Sequence, residues 1–555
     1  MKSSWINNPA GLFLGMLLIF PLLAQEDPEK SQSEPEPAKV VKRTKLANSD
    51  DIAEIFGILR AFQPQEALAA IASSDIGEAE KALFTGWCYH QQGRFEEAVK
   101  QFDQVDTGSL EGEKFLLNRL EELRKSDQAV SEFERLETEN FVIFFKEGPD
   151  RVMTYFLPEV LESIYQAYSK LFHYEREEKI LVELMPNHEL FSYASALSRS
   201  QIETTGTIAL CVENRLVVMT PRRVLQGYEW PDTIAHEFVH YILTKKSRDN
   251  VPLWMQEGVA KYFETQWREN DGTFLDPGLE TSLADAIAKQ SFLTVEQMMP
   301  SFAALPTAAL ARQAYAQTAS MIDYLVQRGG VELVQRIVER LRDEPDMDTV
   351  MTESLTMDFK GFETDWQGWT KTQNYRQFDH FMETGVTLLD QDKNAAELQE
   401  VNPEDDSAKK FTRLGDLLLE RQRHQAALKE YRKTLVADKK PPRQMALRIL
   451  TCLQALDQAE EIMVFIESQV MFPERDPTML SYLAEAHLRL DQRAEARDLI
   501  QRAIYINPFN PLLFRTLLTT FDHNKDPDEV KKAQEILDIL TKPRTKPAPK
   551  KESKS

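Results

Sequence analysis

The stretch Pro231–Ala260, PDTIAHEFVHYILTKKSRDNVPLWMQEGVA, decides the reading of this chain. His236 and His240 stand at i and i+4. On an α-helix these positions stack on one face and aim both imidazoles at a common atom. Zinc takes neutral imidazole nitrogen in tetrahedral geometry. Glu237 falls about 100° further round, off the ligand line but near the metal. That position suits a base that removes a proton from water. Ala235, Phe238, Val239 and Ile242 form an apolar stripe at i, i+3, i+4 and i+7, and Pro231-Asp232 is a helix start. The chain has 9 histidines in 555 residues, and composition alone would produce H-E-x-x-H only about 0.02 times per chain.

A catalytic zinc usually has three protein ligands and one open position. Glu257 is the candidate for the third. It lies in PLWMQEGVAKYFE, where Pro252 opens a helix and Gly258 removes a side chain, letting this helix pack close to the first. The competing reading of Glu257 is a surface ion pair with Lys261 at i+4.

HEFVH followed by PLWMQEGVAKYFE resembles the gluzincin zinc peptidases, and more closely the bacterial peptidase-MA-like family, which pairs H-E-x-x-H with a downstream P-x-W-x-x-E-G-x-A helix. AYAQTASMIDYLVQRGG (Ala314–Gly330) is similar to a helix that follows the site in that family, and the resemblance spans roughly residues 138–372. It implies a zincin-like fold and a peptide or protein substrate. Zn2+ would be held by His236, His240 and Glu257, with Glu237 as base. It also implies a Tyr or His that donates to the oxyanion: Tyr315 is the candidate, with Tyr262 and His188 as competitors. Metal-bound histidines usually donate their other ring nitrogen to an acceptor. One turn after Glu257 stands Lys261, so the sequence names no such partner.

The rest of the chain is organised around this domain. Residues 1–24 read as a secretory signal, with Lys2, an apolar run from Ala10 to Leu23, and a Leu22-Leu23-Ala24 cleavage site. Export to a bacterial periplasm or outside the cell follows, with membrane contact confined to that signal. Residues 25–48 are charged and proline-bearing and read as a disordered linker. Residues 49–137 are helical. Gly86, Tyr89, Ala98 and Phe102 resemble a tetratricopeptide (TPR) repeat, with looser helices at 51–72 and 111–128.

From residue 138 the pattern changes to strands. These are NFVIFF (Asn140–Phe145), KILVELM (Lys179–Met185) and a hairpin of GTIALC and RLVVM turning at Glu213-Asn214, with a helix at Arg151–Phe172. The zincin fold requires such a sheet before the ligand helix, and the resemblance implies that substrate adds as a strand to its edge, either Gly206–Cys211 or Arg215–Met219.

Residues 373–410 read as a helix and an acidic linker. Residues 411–540 carry repeat positions again: Gly415 and Ala484 are 69 apart, about two periods of 34. Gln444–Val470 fills the gap and Pro511–Leu540 makes a fourth pair. Residues 541–555 form a basic tail. The expected fold is mostly α with one α+β domain, a zincin-like metallopeptidase flanked by TPR-like helical repeats that bind a partner protein.

The formal charge is −23, from 66 Lys and Arg against 89 Asp and Glu, and such acidity argues against a nucleic-acid partner. Cys88, Cys211 and Cys452 are too scattered for a disulfide framework. The alternative function is a non-catalytic binding scaffold of the cell envelope with a structural or degenerate zinc domain. Intact Glu237 favours the enzyme, since a structural site has no need of it.

Overall fold

The computed structural model describes residues 49–110, 113–195, 197–199, 202, 206–268, 274–378, 388–389, 406–436, 439–522 and 524–542. The segments read as signal (1–24), linker (25–48), most of the acidic linker and all but the first two residues of the basic tail lie outside them. Two compact units emerge. The first comprises the described parts of Met1–Lys146, Pro158–Met219 and Pro231–Gly385; the second those of Glu147–Leu157, Thr220–Trp230 and Val386–Ser555.

The first unit holds a five-stranded sheet of order β1-β2-β3-β5-β4, with β1 Glu134–Glu137, β2 Phe141–Phe145, β3 Ile180–Met185, β4 Ala209–Val212 and β5 Arg215–Met219. The strands FVIFF, ILVELM and RLVVM are buried along their whole length. Continuous apolar runs suit the parallel interior of a sheet covered on both faces, and β2, β3 and β5 are mutually parallel. The antiparallel strands β1 and β4 form the two edges. Of the two stretches offered as the substrate edge, the topology therefore puts β5 inside and β4 outside. Strand β1 was not legible in the sequence: ERLE is largely exposed and has no apolar alternation.

The His-bearing helix is α8 (Trp230–Ser247), numbered after α1 Ser49–Arg60, α2 Pro64–Ser73, α3 Glu78–Gln91, α4 Phe95–Phe102, α5 Lys114–Val130, α6 Leu157–Phe172 and α7 His188–Ser195. The helix expected at Arg151–Phe172 divides into a 3-10 turn, Pro149–Tyr155, and α6. The stripe Ala235, Phe238, Val239 and Ile242 is completely buried. Phe238 meets Phe141 of β2, Tyr165 and Tyr168 of α6, and Tyr174, at ring centroid distances of 5.9 to 6.5 Å. Burying one such ring stabilises by about 1.5–3 kcal/mol, so this cluster fixes the rotation of α8 and hence where its histidines point.

Helix α9 (Leu253–Phe263) follows, then α10 (Pro277–Lys289), a helical stretch α11 (Ala308–Leu341) broken at Gly329-Gly330, α12 (Met347–Leu355) and α13 (Phe359–Thr370). Gly258 of α9 does not face α8. A Cβ there would meet Thr318 O of α11 at 2.7 Å, so its missing side chain serves the approach of α11. Helices α1 to α5 share a core that includes Leu59, Leu83, Phe84, Trp87, Phe102 and Leu120.

The second unit contains α14 Asp406–Glu420, α15 His424–Arg432, α16 Arg443–Ala455, α17 Ala459–Gln469, α18 Pro477–Arg489, α19 Arg493–Ile506, α20 Pro511–Thr520 and α21 Pro527–Thr541. Successive pairs bury Ala427, Tyr431, Ile449, Leu450, Ile462 and Ile466 in one cluster. The short segments 147–157 and 220–230 belong here too: Trp230 Nε1 donates to Ile504 O at 3.1 Å, and Arg222 pairs with Asp150. Among the described residues no helix is long and apolar enough to cross a membrane.

Candidate metal centre

Helices α8 and α9 bring three side chains to one point. His236 Nε2 and His240 Nε2 are 3.1 Å apart, and each lies 3.6 Å from Glu257 Oε2. Among the described residues this is the one group of His, Cys, Asp and Glu whose ligand atoms converge, all within 4.8 Å. Metal–ligand bonds of about 2.0–2.1 Å in tetrahedral array put neighbouring ligand atoms about 3.3 Å apart, so this donor set fits a zinc ion without rearrangement.

The partners of Glu257 are the two imidazoles, while Lys261 pairs with Glu264 at 2.5 Å. The ion pair weighed for Glu257 and Lys261 is thus replaced by one on Glu264. Glu264 Oε2 also sits 3.0 Å from His236 Nδ1, and Gln256 Oε1 sits 3.1 Å from His240 Nδ1. Each histidine therefore has its outer nitrogen held and its inner nitrogen turned to the convergence point. Sequence reasoning missed both residues. Glu264 was findable: it stands seven positions after Glu257, two turns along the same face, where Lys261 at one turn does not qualify.

The electrostatics match a cation site. Burial opposes charge on His236, but the Glu257 and Glu264 carboxylates outweigh it and raise its pKa to about 10. Burial likewise works against ionised Glu257, yet His240 and His236 prevail and lower it to about 2. In Glu264, burial is outweighed by Lys261 and His236, and the pKa falls. Without a metal, a proton on His236 supplies the positive charge that these carboxylates favour.

Glu237 is buried beside this group. Burial and the Glu257 charge raise its pKa against the lowering influence of His240, His236 and a hydrogen bond from the Cys211 backbone. A carboxylate raised in this way is a better proton acceptor than an ordinary one.

Tyr315, on α11, packs its ring against Phe302 at 4.9 Å. Burial first, then the Glu257, Glu237 and Glu264 carboxylates, push its phenol well above the usual range, which places it within electrostatic reach of the centre. Tyr262 packs on Phe263 and Phe274, and apart from burial Asp323 is what raises its phenol. His188 opens α7 and is not part of the converging group.

Residues 196–372 match the Peptidase MA superfamily. That segment contains α8, α9 and α11, so it holds every residue of the centre. The described residues are mostly helical with one small five-stranded sheet, and the segment that matches the superfamily carries two of its strands. Curated proteins yield no match. Two solved structures are similar: native yeast LTA4 hydrolase (11% identity, TM-score 0.32, covering 73% of this chain and 66% of that one) and yeast LTA4 hydrolase in complex with bestatin (12%, 0.29, 74% and 67%). At these values the likeness has no bearing on the fold. The chain spans about two thirds of each of those proteins.

Proposed function

We propose that this protein is an exported zinc metallopeptidase that hydrolyses peptide bonds in protein or peptide substrates. The observation that supports it is the convergence of His236, His240 and Glu257 beside a buried Glu237, inside the segment that matches the peptidase superfamily. His236, His240 and Glu257 would hold the ion. When bound, zinc supplies Lewis acidity that makes a water acidic and polarises a carbonyl. Glu237 takes the proton of the attacking water and passes it to the leaving amine. The Tyr315 hydroxyl donates to the oxygen on which negative charge develops. The open edge of the sheet at β4 receives the substrate backbone as an added strand.

Export rests on the Lys2 and Ala10–Leu23 pattern. The helical pairs of the second unit, which bury apolar residues between successive helices, read as TPR-like repeats that recruit substrate or partner.

The test is zinc content together with cleavage of casein or a peptide library by the chain beginning at Gln25, beside His236→Ala and Glu237→Gln. We expect one zinc per chain, lost in His236→Ala and kept in Glu237→Gln, with cleavage lost in both. Comparable turnover by Glu237→Gln would remove Glu237 from its role. Zinc without cleavage in the wild type would leave a binding scaffold, and no zinc would end the metallopeptidase reading.

A further inference from the structure

The N-terminal helices present a binding face that is already filled by this chain. On α3, Gly86 faces α4: a Cβ there would meet the Phe102 ring. Trp87, His90 and Gln91 meet the tip of the β4–β5 hairpin instead. Trp87 Nε1 donates to Glu213 Oε2, and Gln91 Nε2 donates to the same oxygen at 3.1 Å. Asn214 Nδ2 donates back to Gln91 O at 2.9 Å. From α5, Arg119 pairs with Glu213 Oε1 while its guanidinium lies 4.3 Å over the Trp87 ring.

The next residue, Arg215, is fully buried and continues the junction. Its Nη1 meets His90 Nε2. Its Nη2 donates to Ser126 Oγ at 2.6 Å and to Ala194 O at 3.1 Å, and its Nε lies 3.0 Å from Glu183 Oε1.

The turn itself is conformationally demanding. Glu213 and Asn214 have φ of 54° and 61°, the left-handed pair of a type I′ hairpin, where Asn, Asp or Gly is usual and Glu is not. Three donors on one carboxylate hold Glu213 there.

From this turn β4 runs to the metal centre. Met219 N–H donates to Ile208 O at 2.8 Å. Alternation along an antiparallel pair then turns the backbone groups of Leu210 toward β5 and those of Cys211 toward the open edge. That is where the Cys211 backbone bonds to the Glu237 carboxylate.

We propose that the N-terminal helical block is an internal clamp, and that Glu213 is its positioning residue. Gripping Glu213 sets the outer strand β4, and through Cys211 it sets the orientation of Glu237. The face of α3 and α5 thus serves this chain's own hairpin and not an outside partner. The kinetic consequence rests on the peptidase reading; the mechanical one does not.

The test is backbone amide exchange across the sheet of the full zinc-loaded chain, with peptide kinetics alongside, in Glu213→Ala, Glu213→Gln and Trp87→Phe. Glu213→Ala is expected to speed exchange in β4 about tenfold or more while β2 and β3 keep their protection. Zinc content is retained and kcat/KM for peptide falls about tenfold, mainly in kcat, as expected for a misoriented base. Glu213→Gln, which still accepts from Trp87 and Gln91, should recover part of both effects. Trp87→Phe keeps the ring and loses one donor, so it should shift β4 exchange by less. Unchanged β4 exchange in Glu213→Ala, or equal acceleration in β2, β3 and β4, would overturn the clamp. If the wild type cleaves no peptide, the exchange pattern alone decides, so failure of the clamp and failure of the peptidase reading remain distinguishable.

Discussion

Glu264 Oε2 lies 3.0 Å from Nδ1 of His236, on the same helix face as Glu257 and two turns beyond it. An ionised carboxylate only accepts, so the proton of that contact belongs to Nδ1, and Nε2 is the nitrogen left to face the centre. Glu264→Ala removes the acceptor and frees the ring to rotate or change tautomer. Zinc affinity is expected to fall about 10–100-fold, measured by competition with a chelator of known affinity. Unchanged affinity would show that ring packing alone orients His236.

Gly258 predicts a different kind of failure. The Cβ of an alanine would stand 2.7 Å from Thr318 O and 3.0 Å from Ile322 Cγ1. The first neighbour is backbone and cannot rotate away, so α9 and α11 must separate. Overpacking of this kind costs about 1–3 kcal/mol. Gly258→Ala should unfold at lower urea by that amount, and because Glu257 is the adjacent residue, zinc content should drop as well. Wild-type stability in this variant would mean that the helices have slack here.

The candidate metal centre was legible because its pattern is local: two histidines and a glutamate at helical spacing, then a second glutamate beside Gly258. Its supporting residues were less so. Glu264 lies one turn beyond where an acceptor was sought, and Gln256 next to Glu257 carries no signal of its own. The interior strands were readable as apolar runs, whereas β1 was not, since an exposed edge strand needs no apolar pattern. The role of Gly258 was read toward the wrong neighbour. A glycine announces close approach but not by what, and Thr318 is 60 positions away in the chain. Least legible was the junction of His90, Asp127, Glu183, Glu213 and Arg215. Charged residues far apart in sequence usually mean solvated surface, and only the fold puts them together.

That junction has a pH signature. Arg215 can only donate, so His90 Nε2 accepts and His90 is the neutral tautomer with its proton on Nδ1, directed at Asp127 Oδ1 at 2.5 Å. Burial, against the pull of Arg215, raises Asp127 from 3.8 to about 8, and burial lowers His90 well below 6.5. A carboxyl raised on folding contributes stability that is complete below its unfolded pKa and is lost as pH rises to its folded one. A histidine lowered on folding acts in the opposite sense and only up to about pH 6.5. Between pH 6.5 and 8 His90 no longer contributes, and Asp127 should make stability fall with rising pH by up to about 1.4 kcal/mol per unit. His236, raised to about 10, adds a fall of the same sign, so the comparison with a variant isolates Asp127. Asp127→Asn keeps an acceptor for His90 and removes the titration. The denaturant midpoint of the wild type should therefore fall relative to that of the variant as pH rises across this window. Parallel profiles would mean that Asp127 stays ionised.

Tyr315 decides between an active part in the reaction and mere packing. Its ring is held by Phe302 and neighbours of the α10–α11 cluster, contacts that a phenylalanine reproduces. Its hydroxyl lies within the field of Glu257, Glu237 and Glu264, and these carboxylates, after burial, keep it protonated. A phenol held neutral in this way can donate to an oxyanion as it forms. Tyr315→Phe should therefore leave zinc content and unfolding unchanged while lowering kcat about 100-fold, the loss typical of one missing oxyanion donor. KM should change little, because a ground-state carbonyl demands less of that donor than the developing oxyanion. A rise in KM at constant kcat would instead make Tyr315 part of the substrate pocket. Tyr262→Phe is the matched control: its hydroxyl answers to Asp323 and not to the site's carboxylates, so turnover should stay at the wild-type level.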